Sequence, residues 1–185
     1  MKRLVSMGLL MVVAAMPAGA STFLKMTQKD LVRDAAAVVK GQVIQVSSFW
    51  TPDGSMIVTE AMVKVDEALL GASDSVVLVK TFGGEVNGFY VEAHGFPKFT
   101  VNEKVLLYLE KEENGVARVA GYQQGQFRVV QDKAGVEYAV PTVDVDTNVL
   151  TKDGRPSPRP EAVRLDVLRD SIRTEAVRAG RTLEN

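Results

Sequence analysis

"AVVKGQVIQVSSFWTPDGSMIVTEAMVKVDEALLG", Ala37 to Gly71, sets two valine-rich runs on either side of a proline-led turn. The first run, Ala37 to Trp50, carries the β-branched side chains that suit a pleated surface. Pro52-Asp53-Gly54 then supplies the fixed φ and the turn-forming side chains that reverse a chain. In the second run Ile57, Thr59, Ala61, Val63 and Val65 fall on one face and Glu60, Lys64 and Asp66 on the other, the period of two of a half-buried strand. Slipping the pairing by one residue would turn those charges inward, so burial fixes the register.

The flanks extend the pattern. Upstream, "MTQKDLVRDA" offers Thr27 as an N-cap with Asp30 three residues on, a relative of the capping box, and predicts a short helix from Gln28 to Asp34. Downstream, "SVVLVKTF" reads as a third strand. "EKVLLYLEKEENGVARVAGY" reads as a hairpin about Asn114-Gly115, with Val105, Leu107 and Leu109 on a common face. A last pair, "QFRVVQDKAGVEYAV", turns at Lys133 to Gly135 and is expected to set Phe127 and Val129 against Val136, Tyr138 and Val140. The result is a succession of antiparallel strands.

Residues 151–160, "TKDGRPSPRP", form a linker held extended by Pro156, Pro158 and Pro160. Pro160 suits a first helical position and Gly180 a position just past a helix end. Between them Leu165, Leu168, Ile172 and Ala176 recur at helical spacing, predicting an amphipathic helix within residues 161–185. Acid–arginine pairs three apart (Glu161 and Arg164, Asp166 and Arg169, Asp170 and Arg173, Glu175 and Arg178) would support its solvent face. Such a helix either packs on the barrel or docks a partner on its tether.

Residues 1–20 have a basic start at Lys2 and Arg3, a short apolar run and small residues Ala18-Gly19-Ala20, the pattern of a cleaved export signal. Cleavage would remove 20 of 185 residues and leave 165, one domain (residues 21–150) with its linker and helix. Without Lys2 and Arg3 the 22 bases become 20 against 23 acids, a net −3 that offers nucleic acid no general attraction. The apolar run is too short for an ordinary membrane span, so no stable membrane insertion is expected. With no cysteine, the domain must be held by burial alone, and thiol catalysis is excluded.

Candidate chemistry gathers in "TFGGEVNGFYVEAHGFPKF", Thr81 to Phe99, which holds the only histidine. Glu85, Glu92 and His94 could approach a metal as two carboxylates and one imidazole. Zinc sites of that kind usually draw on further histidines, so no metal or other cofactor is expected. A hydrolase using His94 would need a placed nucleophile, and no G-x-S-x-G elbow is present; nor is a phosphate loop. Structurally, Gly83 and Gly84 can end a strand, Gly88 can kink or bulge a ribbon and Gly95 can turn the chain toward Pro97, giving a long loop or excursion hairpin. Whichever of Phe89, Tyr90, Phe96 and Phe99 face outward would form a contact surface. Gln123, Gln124 and Gln126 around Gly125 could bind peptide or sugar, or mark a bulged corner. Trp50, the only tryptophan, is either packed or a binding anchor.

Four segments together, "AAAVVKGQVIQV", "TEAMVKVDEALLG", "SVVLVKTFGG" and "FTVNEKVLLYLEK", follow a scheme A-x-x-V-V-x-G-x-V, V-x-x-x-L-x-G, G-G and F-x-x-x-E-x-V-x-x-x-L. Over about Ala35 to Val129 the chain resembles a class of uncharacterised exported bacterial proteins and, more distantly, the tissue-inhibitor-of-metalloproteinases and netrin-like domains. The resemblance implies a mainly β, five- to seven-stranded antiparallel OB-like barrel with a short N-terminal helix and a C-terminal helix. Those inhibitors chelate a protease zinc through an N-terminal cysteine; here Ser21 stands at the expected new terminus, so that residue has no counterpart. The expectation is a periplasmic or extracellular, non-enzymatic binding module for a protein, peptide or glycan of the cell envelope, most specifically an accessory or inhibitor of a secreted protease. An envelope hydrolase using His94 and a purely structural envelope component are the alternatives. The sequence leaves the oligomeric state open.

Overall fold

A computed structural model describes residues 21–71, 74–111 and 115–181. The leader expected over residues 1–20 and Asn114 of the expected turn lie outside the described residues. Strand makes up 46% and helix 17%, so the protein is mainly β. In chain order the elements are β1 (Thr22–Leu24), α1 (Gln28–Asp34), β2 (Ala37–Trp50), β3 (Ile57–Leu70), β4 (Val76–Phe82), β5 (Gly84–Val86), β6 (Phe89–Val91) and β7 (Lys104–Lys111). Then come β8 (Ala117–Val119), β9 (Gln126–Gln131), β10 (Glu137–Pro141), β11 (Asn148–Leu150), β12 (Val163–Arg164) and α2 (Leu165–Arg178).

Five strands close a ring in the order β7-β2-β3-β4-β8 and back to β7. The closing pair β4–β8 is parallel, at Val79 and Ala117, so the barrel is mixed rather than antiparallel throughout. Beyond β7 the sheet continues through β9 and β10 to β12. In β2–β3 the pairing shifts between Val43 and Gln45, leaving Ile44 unmatched. That bulge lets Val43 and Val46, three apart, both serve the interior, where a regular strand would send them to opposite faces.

Two apolar layers result. Val39, Val43, Ala61, Val63, Val79, Val105 and Leu107 fill the barrel. Outside it, Val38, Leu70, Leu106 and Tyr108 meet Leu31 and Val32 of α1 and Leu165, Leu168, Ile172 and Ala176 of α2. Strand β7 therefore feeds both layers, with alternate side chains in each.

α2 packs on its own barrel. It begins at Leu165, not near Pro160, because Val163 and Arg164 first pair with Ala139 and Tyr138 of β10. Glu161 and Arg164 consequently fall outside the helix. Arg164 bonds Asp166 instead, and Arg169 reaches Glu67 of β3 rather than Asp166. The Asp170–Arg173 and Glu175–Arg178 pairs are present at 3.8 and 2.6 Å. Beyond the helix the Arg181 N–H donates to the Ala176 carbonyl and the Gly180 N–H to that of Val177, the paired bonds of a Schellman stop.

The β9–β10 register also differs from expectation. Val129 faces Ala139 and Phe127 faces Pro141, so Tyr138 and Val140 lie on the opposite face with Val130 and Arg128. The cause is the loop. Asp132 pairs with Val136 across three residues, and Gly135 (φ 85°) takes the left-handed position that closes such a loop.

Candidate functional site

The segment Thr81–Phe99 leaves the barrel at the end of β4 and returns ahead of β7. Its β5 and β6 pair antiparallel about Asn87-Gly88, both left-handed (φ 51° and 80°), a two-residue I′-type turn. Gly88 is thus a turn residue rather than a kink in the ribbon.

The root of this hairpin is held by polar groups. The Gly83 N–H donates to the Ile57 carbonyl (2.9 Å), the Thr59 hydroxyl to the Gly83 carbonyl (2.6 Å), and Ser48 Oγ lies 2.7 Å from Thr59 Oγ1. Gly84 has φ 133°, and a Cβ built there would stand 2.4 Å from both hydroxyls. Only glycine fits that approach. Thr81 donates to the Pro97 carbonyl at 3.0 Å, tying the outgoing strand to the returning chain.

On this fixed root the aromatic side chains point into solvent. Phe89 and Tyr90 are 64% and 65% exposed, and Val91 of the same strand is 43% exposed. Across from them stands the tip of the β2–β3 hairpin, where Trp50 meets Phe89 edge-on with ring centres 6.0 Å apart. Met56, 48% exposed, belongs to the same tip. The exposed apolar side chains of the two hairpin ends, joined by the Trp50–Phe89 contact, make a ridge, with Phe89 and Val91 on one face of β6 and Tyr90 on the other. Beneath it a cleft of about 240 Å³ runs between Tyr90 and Val91 and the barrel residues Val46, Ser48 and Phe99.

The remaining predicted site residues are employed within the fold. Phe96 packs edge-on against Phe82 (5.1 Å) and Tyr122 (4.9 Å), and Tyr122 in turn against Phe23. Gln123 and Gln126 are buried. Gln123 Nε2 donates to Asp144 (2.8 Å) while its Oε1 accepts from the Asp144 N–H (3.0 Å); Gln126 Nε2 donates to the Lys98 carbonyl (2.7 Å). Gln124 spans the Leu24 carbonyl and the Met26 N–H, both at 2.9 Å. The glutamine corner is therefore a brace, with its amides spent on the backbone and on Asp144, closer to the structural corner than to the binding surface of the two readings.

That brace meets a charge cluster. Lys98 Nζ lies 2.7 Å from Glu92 and 3.0 Å from Asp144. The hydrogen bond to Glu92 raises the Lys98 ammonium above its ordinary value, desolvation opposing and Asp144 assisting. Lys98, by hydrogen bond and by charge, lowers Glu92. Burial pulls Asp144 upward, but the hydrogen bonds from Gln123 and Lys98 outweigh it and the carboxyl is lowered. His94 is nearby, its Nδ1 3.7 Å from Asp146 Oδ2, an ion-pair distance rather than a hydrogen bond. Among the described residues no three of His, Asp and Glu converge to hold a metal ion.

Met56, Val91 and the Lys98–Asp144 pair were not singled out by the sequence. The Asn87-Gly88 dipeptide between Glu85-Val86 and Phe89-Tyr90 was a legible signal for the hairpin, and hence for its exposed strand. Lys98 and Asp144 are brought together only by the tertiary fold. No family model matches this chain, and no curated protein matches it.

Proposed function

We propose that this protein is a non-enzymatic binding module that works after export, in the periplasm or outside the cell, and takes hold of a protein partner through the ridge of Trp50, Met56, Phe89, Tyr90 and Val91. The observation carrying this reading is the exposure of Phe89 and Tyr90 on a hairpin whose root is held by the buried Thr59 and its hydrogen bonds. Aromatic side chains have few rotatable bonds and large apolar area, so they anchor interfaces at low entropic cost. Each ring contributes roughly 1.5–3 kcal/mol when fully covered. The sequence resemblance to inhibitor-type OB barrels supports an accessory or inhibitor of a secreted protease as the specific partner relation. The contact would have to be made by the ridge, since the N-terminal cysteine of that class has no counterpart. Among the described residues no helix is long and apolar enough to cross a membrane.

The test is capture from the native envelope with the purified protein, run beside the F89A/Y90A variant and the H94A variant. The expectation is a partner retained by wild type and H94A and lost by F89A/Y90A, with the melting temperature of F89A/Y90A unchanged. Equal recovery by F89A/Y90A would overturn the reading, as would substrate turnover abolished by H94A. Mass measurement of the exported protein checks the leader: the mature chain is expected to begin at Ser21.

A further inference from the structure

A second cleft, of about 580 Å³, lies away from the ridge, between the start of α1, the β9–β10 face, the segment after β10 and the proline-rich strap Pro156–Pro160. Its volume falls in the range of about 300–1,000 Å³ typical of small-molecule sites. Its walls are largely apolar, built from Met26, Leu31, Phe127, Val149 and Pro158.

Two of its three charged lining residues are basic. Lys25 and Arg159 stand on it exposed, beside the single carboxylate Asp144. The Arg159 guanidinium donates to the Val145 carbonyl at 2.5 Å, which holds it at the rim. Asp144 points its carboxylate at Lys98 and Gln123 rather than at Lys25 or Arg159, so the cleft keeps a basic excess of one. Thr147 also lines the cleft, but its hydroxyl is buried away from the open space and takes no part in it.

We propose that this cleft binds a small amphipathic anion, its apolar body seated between Leu31, Phe127 and Val149 and its carboxylate paired with Lys25 and Arg159. A cation would be repelled, and a neutral apolar molecule would leave both basic groups without a counter-charge. A carboxylate also brings acceptor oxygens, the complement of a guanidinium with only one N–H donated to the backbone. This site is independent of the ridge and of what the ridge holds.

Calorimetric titration of the purified protein with decanoate tests it, with decyl glucoside and decyltrimethylammonium as neutral and cationic controls of equal chain length. Saturable one-to-one binding of decanoate is expected, at least about tenfold tighter than either control. The K25E/R159E variant, altered only at exposed positions, should bind decanoate at least about tenfold more weakly with its melting curve intact. V149W should abolish binding by filling the cleft, and F89A/Y90A should bind decanoate as wild type does. Absence of saturable binding, equal affinity for the neutral or cationic control, undiminished affinity in K25E/R159E, or loss in F89A/Y90A would each overturn the assignment.

Discussion

Lys98 joins two chain segments that the sequence keeps far apart. Its partners Glu92 and Asp144 both titrate below their ordinary values of 4.5 and 3.8. A carboxylate depressed in the folded state stabilises that state fully above its unfolded value, and ceases to as pH falls through the folded one. The contact is therefore whole above about pH 4.5 and is lost as pH falls through the folded values, which lie below 4.5 for Glu92 and below 3.8 for Asp144. The raised Lys98 has the opposite sign: its contribution holds below 10.5 and fades only above it. Amide protection of Glu92 to Phe99, with the intrinsic exchange rate divided out, should accordingly fall as these carboxylates protonate in acid, and K98M should already show low protection at neutral pH. Gly84 is the other residue on which the ridge depends. Gly84→Ala should lower unfolding free energy by about 2–4 kcal/mol in denaturant titration, because its Cβ meets two hydroxyls and its φ is foreign to alanine.

Among the elements, α2 contributes most to closing the outer layer. Ile172 is fully buried in it, and Ile172→Ala should cost about 2–4 kcal/mol. Arg181, just past the helix, donates to the carbonyls of Val32, Ala35 and Ala36, which are the open C-terminal acceptors of α1 and the residues after it. Arg181→Ala should cost about 1–3 kcal/mol by the same measurement, by leaving partly buried carbonyls unpaired. How far each element could be read from sequence follows from the range of its determinants. The end of α2 was legible because a glycine after the last periodic residue is local chemistry. Its start was not, because Val163 and Arg164 are claimed by a distant strand. Strands β2 and β3 were legible from alternation, whereas the β9–β10 faces turned on one residue of loop length.

For the molecule as a whole, the mainly β class follows from strands that each show their apolar face, while the barrel was implied by the resemblance alone. The parallel β4–β8 contact that completes the ring has no local signal. Nor does the double burial of β7, whose Leu106 and Tyr108 face the helices while Leu107 and Leu109 face the interior. Because one strand serves both layers, thermal unfolding should be a single transition by far-ultraviolet and aromatic signals alike, and two separate midpoints would contradict it. A chain ending at Pro160 should lose that transition and bind a hydrophobic dye. The ridge was partly legible, in its aromatic residues; the brace beneath it was not, since Lys98 and Asp144 meet only once both layers are in place. Arg181 reaches carbonyls 145 to 149 residues behind it. A ribosome adding about 5–20 residues per second makes Arg181 roughly seven to thirty seconds after α1. On whichever side of a membrane the chain folds, those carbonyls stay without their donor until Arg181 has arrived.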